Sequence, residues 1–257
     1  MPKAIDTHAH LDHVKNVDEA LKEAQAAGVV GVVAVGIDLI ANRRNLEIKK
    51  RTQNPKVHLA FGMHPESLEN NIPGQVDECV EFIRANIKEA VAIGEIGLDY
   101  WYKWARKNDD KKKEQRDVFA RQLNLAKEFD LPVVIHSRGS WRDCLDMVKA
   151  AGIKKANFHW YSGPLDILDE IVACGYVISA SPALAYSPQH QDAVKHVPIE
   201  HLLIETDSPV FYGDFTAAPK DVLRTLKIYS SLKAMKEDEA AEVFYRNAVH
   251  FFNLPEG

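Results

Sequence analysis

The chain has 257 residues, a length typical of one (β/α)8 barrel and sufficient for a large hydrophobic core. Apolar residues make up 46% and charged residues 27%, which is ordinary for a soluble globular domain. The formal net charge of −5 excludes a global attraction to nucleic acid, so a polyanion would need a local basic patch or a metal ion.

The N-terminal sequence MPKAIDTHAHLD and the three cysteines bear on where the protein works. The N-terminal residues contain no apolar signal segment, and no apolar run along the chain is long enough to span a bilayer. Cys79, Cys144 and Cys174 have neither metal-ligand nor redox spacing, which favours reduced thiols. We therefore expect a cytoplasmic protein that does not contact membranes.

Short segments rich in Val, Ile and Leu alternate with helix-like segments along the chain. Eight are predicted as strands: Ala4–Leu11, Val29–Ile37, Val57–His64, Ala90–Leu98, Pro132–His136, Lys155–His159, Gly175–Ser181 and His201–Asp207. Strand–helix alternation predicts a parallel sheet. Eight units in a chain of this length favour closure into a single α/β domain, a (β/α)8 TIM barrel over residues 1–257. An open doubly wound sheet is the alternative.

The segments between the strands carry apolar residues at helical spacing. Four helices are predicted here: Val17–Ala27, Leu39–Thr52, Val76–Glu89 and Glu114–Phe129. Two more are predicted after Ala218, and Pro219 is placed to begin the first of them. No linker or internal repeat divides the chain, which supports the prediction of one domain.

Six residues that can bind a cation stand at or near the ends of the predicted strands: His8, His10, Glu95, His136, His159 and Asp207. In a TIM barrel the carboxyl ends of the strands meet at one mouth, where active sites form. We therefore predict a metal site at that mouth. Imidazole-rich ligation favours Zn²⁺, Mn²⁺, Co²⁺ or Ni²⁺ over an all-oxygen site, with Mg²⁺ as a further candidate at an exchangeable position.

Glu95 and Asp207 are the predicted catalytic carboxylates. Glu95 lies between two glycines in an apolar strand, where a carboxylate is costly unless it is paired or binds metal. It is assigned as a bridge between two metals, with a buried ion pair as the alternative. Asp207 follows the apolar segment LLIET and is assigned both as a ligand and as the acceptor of a proton from water.

Three residues beside the same strand ends are predicted to bind substrate. His64, in GMHP, is assigned to a phosphate or leaving-group contact, with a structural turn histidine as the alternative. Arg138 is assigned to bidentate phosphate binding, with a surface salt bridge as the alternative. Trp160 is assigned to stacking on a base, with packing at the rim as the alternative.

Other polar residues near these motifs have weaker assignments. Asp6 and Glu205 are in phase with the ligands but deeper, so they are interpreted as core carboxylates or as groups that orient a ligand from behind. His13 is out of phase and is predicted to lie on the surface. The segment Tyr100–Lys113, YWYKWARKNDDKKK, is predicted to form a substrate-binding rim of aromatic and cationic residues, with a solvated loop as the alternative.

Together these motifs resemble the TatD family of metal-dependent deoxyribonucleases, within the amidohydrolase-like barrels. The matching segments are IDTHAHLD, FGMHP, GEIGLDY, QRDVFARQLNLAKEFDLPVVIHSR, NFHWYSG and LLIETDSP. Two segments depart from the family pattern. The stretch after Asp207 lacks the Arg-Asn-Glu-Pro sequence that many members carry, and Trp160-Tyr161 stands where Cys-Phe is commoner. Both are expected near the substrate.

The resemblance implies two metal positions that share Glu95. One set of ligands is His8, His10, Glu95 and Asp207, and the other is Glu95, His136 and His159. The resemblance also implies cleavage of phosphodiester bonds, often from the 3′ end of single strands. It therefore indicates a nucleic-acid substrate, most simply single-stranded DNA.

The predicted function is that of a metal-dependent hydrolase, specifically a 3′–5′ exodeoxyribonuclease that acts through a metal-activated hydroxide. The nearest alternative is hydrolysis of another ester or amide at the same site, such as deacylation of D-aminoacyl-tRNA. A minor alternative is a non-catalytic binding module in which the metals are structural. No obligate protein partner is indicated, because no heptad or exposed apolar stripe stands out.

Overall fold

The fold is built on one eight-stranded parallel sheet, seen in a computed structural model that describes residues 3–70 and 72–255. The strands are β1 (Ala4–Ala9), β2 (Val29–Val35), β3 (Lys56–Phe61), β4 (Ala90–Gly97), β5 (Val133–His136), β6 (Ala156–Phe158), β7 (Val177–Ala180) and β8 (Leu202–Ile204). Their order in the sheet follows the chain from β1 to β8. Because this order never reverses, the doubly wound alternative is wrong.

The barrel closes between β1 and the segment that follows β8. The amide of Asp207 donates to the carbonyl of His8 at 2.9 Å, and the amide of His10 donates to the carbonyl of Ser208 at 2.7 Å. These bonds confirm the predicted TIM barrel. They also bring the first and last metal-ligand candidates of the sequence side by side.

Helices surround this sheet. They are α1 (Val17–Ala27), α2 (Leu39–Arg51), α3 (Gln75–Ala85), α4 (Asp109–Glu128), α5 (Trp141–Ala151), α6 (Leu165–Ala173), α7 (Pro188–His196), α8 (Val222–Lys233) and α9 (Glu237–Phe252). Each of α1 to α7 follows the strand of the same number, as crossovers between parallel strands require. The two predicted C-terminal helices correspond to α8 and α9.

The start of α4 differs from the prediction. The helix begins at Asp109 rather than Glu114, because the Asn108 side chain accepts a hydrogen bond from the amide of Lys111 at 3.1 Å and caps the helix there. The final residues of the predicted rim are therefore helical rather than part of a loop.

The segment between β8 and α8 also differs from the prediction. A hairpin of β9 (Phe211–Tyr212) and β10 (Phe215–Thr216), which was not predicted, follows β8. Pro219 begins a 3-10 helix, Pro219–Asp221, rather than α8 itself. A short structured insertion thus occupies the edge of the barrel mouth.

The N-terminal end of the barrel is covered by α9. One apolar cluster joins the strand residues Val33 and Leu203 to Phe251 of α9 and to Leu254 just beyond it, and all four are buried. Apolar packing fills that end of the barrel. The polar residues at the carboxyl ends of the strands lie at the opposite end.

The three cysteines are free thiols, and Cys79 and Cys144 are buried. Burial raises the pKa of both thiols to about 12, so they remain protonated. Across residues 3–70 and 72–255, no helix has the length and apolar character needed to cross a membrane.

Candidate metal centre

The structure brings together all six predicted ligands at the carboxyl ends of the strands: His8, His10, Glu95, His136, His159 and Asp207. Two of them lie on β1 and directly after it, one lies within β4, and one ends β5. The other two follow β6 and β8. The parallel sheet thus places His8 and Asp207, which are 199 positions apart, in one cluster, as expected for this face of a barrel.

The first group lies around one oxygen of Glu95. Nε2 of His8 is 3.4 Å from Oε2 of Glu95 and 3.5 Å from Oδ1 of Asp207. Nε2 of His10 is 3.5 Å and 3.2 Å from the same two oxygens. Four donor atoms therefore converge from three separate parts of the chain.

The second group lies around the other oxygen of Glu95. Nε2 of His159 is 2.7 Å from Oε1, and Nδ1 of His136 is 3.0 Å from it. The two imidazole nitrogens are 3.4 Å apart. Each carboxylate oxygen of Glu95 thus faces its own set of imidazoles.

The unpaired atoms in this cluster fit a bound cation. Nε2 of His8 and Oδ1 of Asp207 are buried and have no hydrogen-bond partner within the described chain, which is costly for polar atoms. A tetrahedral site with bonds of about 2.0–2.2 Å separates neighbouring donor atoms by about 3.3–3.6 Å. The spacings of the first group, 3.2–3.5 Å, match that separation.

The imidazoles and carboxylates of the site stabilise each other's charged forms. Burial alone would raise the pKa values of Glu95 and Asp207, but the surrounding imidazoles outweigh it and lower both. Burial alone would lower the pKa of His10, but Asp207 and Glu95 raise it to about 9. The two carboxylates thus favour positive charge beside them, which is the environment that a cation requires.

His64 approaches the second group but differs chemically from its members. The amide of Glu66 donates to Nδ1 of His64 at 3.1 Å, and burial lowers the pKa of this histidine to about 3. The neutral ring therefore carries its proton on Nε2, which is 3.6 Å from Oε1 of Glu95. A protonated nitrogen has no lone pair for a metal, so His64 presents a hydrogen-bond donor to the site.

Asp99, just beyond β4, is a buried carboxylate that the sequence analysis missed. Its Oδ2 accepts hydrogen bonds from Nε2 of His136 and from Nε of Arg138, both at 2.8 Å. The first bond leaves Nδ1 of His136 to face Glu95. The sequence signal that could have identified Asp99 was a second acidic residue at the same strand end as Glu95, in the segment GLDY.

Glu205 and Asp6 lie beneath the site, as their phase predicted. Glu205 accepts hydrogen bonds from Ser179 and from the amide of Trp160, and its Oε1 is 3.4 Å from Nδ1 of His159. Asp6 accepts bonds from the amide and hydroxyl of Thr206, at 2.9 and 2.6 Å. Glu205 is therefore placed to orient a candidate ligand, whereas Asp6 is a satisfied core carboxylate.

A cavity of about 600 Å³ opens above the six candidate metal ligands. His64, Arg138 and Trp160 all line it, together with Trp101 and Tyr102 from the predicted rim. His13 also reaches the cavity wall, although its side chain is half-exposed and pairs with Asp12, as expected for a surface residue. The six candidate metal ligands are thus accessible to a bound molecule of moderate size.

Comparisons with known proteins identify the family. The family described as TatD related DNase matches residues 5–253. The chain belongs to this TatD family. It is 31% identical over 255 residues to an uncharacterised metal-dependent hydrolase of Methanocaldococcus jannaschii, covering 97% of each chain. It is 30% identical to the human deoxyribonuclease TATDN3, covering 96% of this chain and 94% of that one.

A solved structure supports the same assignment. The crystal structure of YjjV, a TatD homologue from Escherichia coli, superposes with a TM-score of 0.88 at 27% identity, covering 98% of both chains. This TatD-family protein is accordingly a metal-dependent hydrolase with a TIM-barrel fold. The predicted family resemblance is confirmed.

The two departures from the TatD pattern contact each other. The rings of Trp160 and Tyr212 lie 5.3 Å apart between centroids, and the Tyr212 hydroxyl donates to the carbonyl of Thr206 at 3.0 Å. Tyr212 belongs to the β9–β10 hairpin, and Trp160 adopts a positive φ of 42°. The two departures therefore form one local structure at the edge of the cavity.

The segment Tyr100–Lys113 contributes to the cavity only in part. Trp101 and Tyr102 line the cavity. The Tyr102 ring also stacks on the Trp104 ring, with 5.5 Å between the ring centroids. Lys111 does not line the cavity, and its Nζ donates a hydrogen bond to the carbonyl of Leu68. Two of the four aromatic residues of the predicted rim thus face the site, while its lysine-rich end begins α4.

Proposed function

We propose that this protein is a deoxyribonuclease that removes nucleotides from the 3′ end of single-stranded DNA with the help of two divalent cations. The observation that carries the proposal is that the two oxygens of Glu95 face two separate groups of imidazole nitrogens. A carboxylate so placed is suited to bridge the paired metals of phosphodiester-cleaving enzymes. The name of the human relative, a deoxyribonuclease, supports this substrate class.

The proposed ligand sets follow the two groups. His8, His10, Glu95 and Asp207 would hold one cation, and Glu95, His136 and His159 would hold the other. Zn²⁺, Mn²⁺, Co²⁺, Ni²⁺ and Mg²⁺ are the candidate ions, because imidazole and carboxylate ligands suit them. When bound, such ions lower the pKa of water toward about 7 and offset charge on a phosphate.

Asp207 is the proposed general base. Its Oδ1 faces His8 and His10, so Oδ2 is the oxygen left to accept a proton from the attacking water. The lowered pKa of Asp207 keeps the carboxylate ionised at neutral pH, and an ionised carboxylate is the form that can accept a proton.

Three cavity residues are proposed to bind the DNA. His64 donates from Nε2 to a phosphate or leaving-group oxygen. Arg138 is held by Asp99 through Nε alone, and its terminal nitrogens make no hydrogen bond within the described chain, which leaves them for a phosphate. Trp160, packed on Tyr212, offers a ring at the cavity wall for a base.

The proposal is tested with single-stranded DNA labelled at either end, incubated with purified protein with and without a chelator. A label at the 3′ end should appear first as mononucleotide, and the chelator should abolish release. Asp207→Asn should reduce the rate by about 10²–10⁴-fold, since it removes the general base. Asp214→Asn is the matched control, because Asp214 is an exposed carboxylate of the nearby hairpin.

Two results would contradict the proposal. Release that survives both the chelator and Asp207→Asn would place the activity elsewhere. Release of internal fragments before mononucleotides would refute the exonuclease mode. As a control, the metal content of Asp207→Asn is measured by mass spectrometry, which shows whether the variant lost its ions or only its general base.

A second candidate is hydrolysis of another ester or amide at the same metals, including D-aminoacyl-tRNA. The observation that favours it is the Trp160–Tyr212 contact, because both segments that depart from the family pattern lie at the substrate cavity. Turnover of aryl esters or D-aminoacyl-tRNA by a protein that leaves DNA intact would support it. A protein that binds metals but turns over none of these substrates would instead support a structural role for the ions.

A further inference from the structure

Trp101 is an exposed aromatic side chain in the wall of the cavity above the candidate metal ligands. Its relative exposure is 58%, although a large aromatic ring gains most by burial. It lines the same cavity as His136 and Arg138. An aromatic ring exposed in a cavity wall offers a flat face on which a base can stack.

The Trp101 ring is held in one orientation by its neighbours. Gly139 lies directly under the indole, where an added Cβ would come within 2.3 Å of Cδ1. Trp141 packs against it at right angles, with ring centroids 5.9 Å apart. Gly163 in turn leaves room for Trp141, since a Cβ there would lie 2.7 Å from Cγ of that ring. The exposed indole is therefore preorganised, which lowers the entropic cost of stacking a ligand on it.

One carboxylate holds both the backbone of Trp101 and the nearby Arg138. Oδ1 of Asp99 accepts a hydrogen bond from the amide of Trp101 at 2.8 Å, and Oδ2 accepts one from Nε of Arg138 at 2.8 Å. The residue that carries the aromatic ring and the residue that carries the guanidinium are thus held by the same side chain, on one cavity wall. A nucleotide presents the matching pair of groups, a base with an aromatic face and a phosphate.

We propose that Trp101 forms a nucleobase subsite, in which its exposed face stacks on the base of the nucleotide whose phosphate binds Arg138. The subsite deepens the proposed nuclease function and rests on it for its role in catalysis. Its binding chemistry is independent of turnover, because stacking and phosphate binding require no bond cleavage. Stacking of this kind tolerates any base, since every base has an aromatic face.

The test compares binding of dAMP and of 2-deoxyribose 5-phosphate to the metal-loaded protein by calorimetry. The wild type should prefer dAMP by between about 5-fold and about 150-fold, the range of base–aromatic stacking. Trp101→Ala should lose this preference and keep its affinity for 2-deoxyribose 5-phosphate, whereas Trp101→Phe should retain part of it. Phe211→Ala is the matched control, because Phe211 is 63% exposed on β9 and does not line the cavity.

An unchanged preference for dAMP in a folded Trp101→Ala variant would overturn the subsite. An equal loss in Phe211→Ala would also overturn it, because the effect would then not be local. The nuclease proposal fails separately, by absence of DNA cleavage while the preference for dAMP persists. Conversely, DNA cleavage that persists while Trp101→Ala keeps the full preference would overturn the subsite alone.

Discussion

Nε2 of His136 lies 2.8 Å from Oδ2 of Asp99, and this contact determines which nitrogen of the histidine faces the other candidate metal ligands. A neutral imidazole that donates from Nε2 has its lone pair on Nδ1, and Nδ1 is 3.0 Å from Glu95. The same carboxylate holds Arg138 and the backbone of Trp101. Asp99 therefore connects the metal site, the phosphate-binding candidate and the aromatic wall.

Asp99→Asn should weaken metal binding and activity together. An asparagine has a single acceptor oxygen, so it cannot accept both from His136 and Arg138, which share Oδ2, and from the amide of Trp101, which bonds Oδ1. Loss of a group that orients a metal ligand typically costs about 10–100-fold. Metal affinity is measured by calorimetry and activity by nucleotide release. Asp143→Asn is the control, since Asp143 accepts from the neighbouring Tyr100 hydroxyl but does not contact His136. Wild-type metal affinity in Asp99→Asn would contradict this role.

Metal binding should release protons. His10 has a pKa of about 9 in the metal-free site because Asp207 and Glu95 outweigh the effect of burial, so at neutral pH a proton must leave before Nε2 can bind a metal. The apparent affinity should rise by about tenfold per pH unit for each displaced proton between about pH 6 and pH 9.

Calorimetric titration with Mn²⁺ in buffers of different ionisation enthalpy measures this release. Heats that do not depend on the buffer would count against it. His196→Gln is the control, because His196 pairs with Asp169 on the surface and should leave the number of released protons unchanged.

Gly97→Ala should destabilise the protein and displace His136. The residue has a φ of +141°, and an added Cβ would lie 2.0 Å from the carbonyl oxygen of His136. Strain and overlap together should lower the free energy of unfolding by more than about 2 kcal/mol, as measured in urea. Gly175→Ala is the matched control, with a φ of +76° and open space around its Cβ, and it should cost about 1 kcal/mol. Equal losses in the two variants would show that the overlap is relieved without cost.

His58 of β3 should make the stability of the fold depend on pH. Burial, and then Lys49 and Lys56, lower its pKa to about 4, whereas the unfolded chain has a value of about 6.5. The unfolded state therefore binds the proton first, so stability should fall as the pH decreases from about 6.5 to about 4. Relative to His58→Gln, the wild type should lose about 1–3 kcal/mol over this range.

Urea denaturation of both proteins at several pH values gives this difference directly. Because other groups titrate in both proteins, the difference between the two curves isolates His58. Parallel curves would show that His58 has the same pKa in the folded and unfolded chain.

The order of strands and the strand-end residues could be predicted because each depends on a few neighbouring residues. An apolar run that ends in His136, or that carries Glu95 between glycines, is visible in a short window, and the barrel then gathers such ends at one mouth. Two aromatic residues of the predicted rim lie at the cavity for the same reason. They follow β4 directly, but the capping contact of Asn108 decided where α4 begins.

The alternation of elements, the barrel and the residue types of the candidate metal ligands can be read from the sequence, since periodicity and strand-end chemistry are local properties. The partners of Asp99, the tautomer of His64 and the contact between Trp160 and Tyr212 depend instead on how distant segments pack together. His136 is 37 residues from Asp99, and Tyr212 is 52 residues from Trp160. Such contacts depend on strand register and loop conformation, which no short window of sequence specifies.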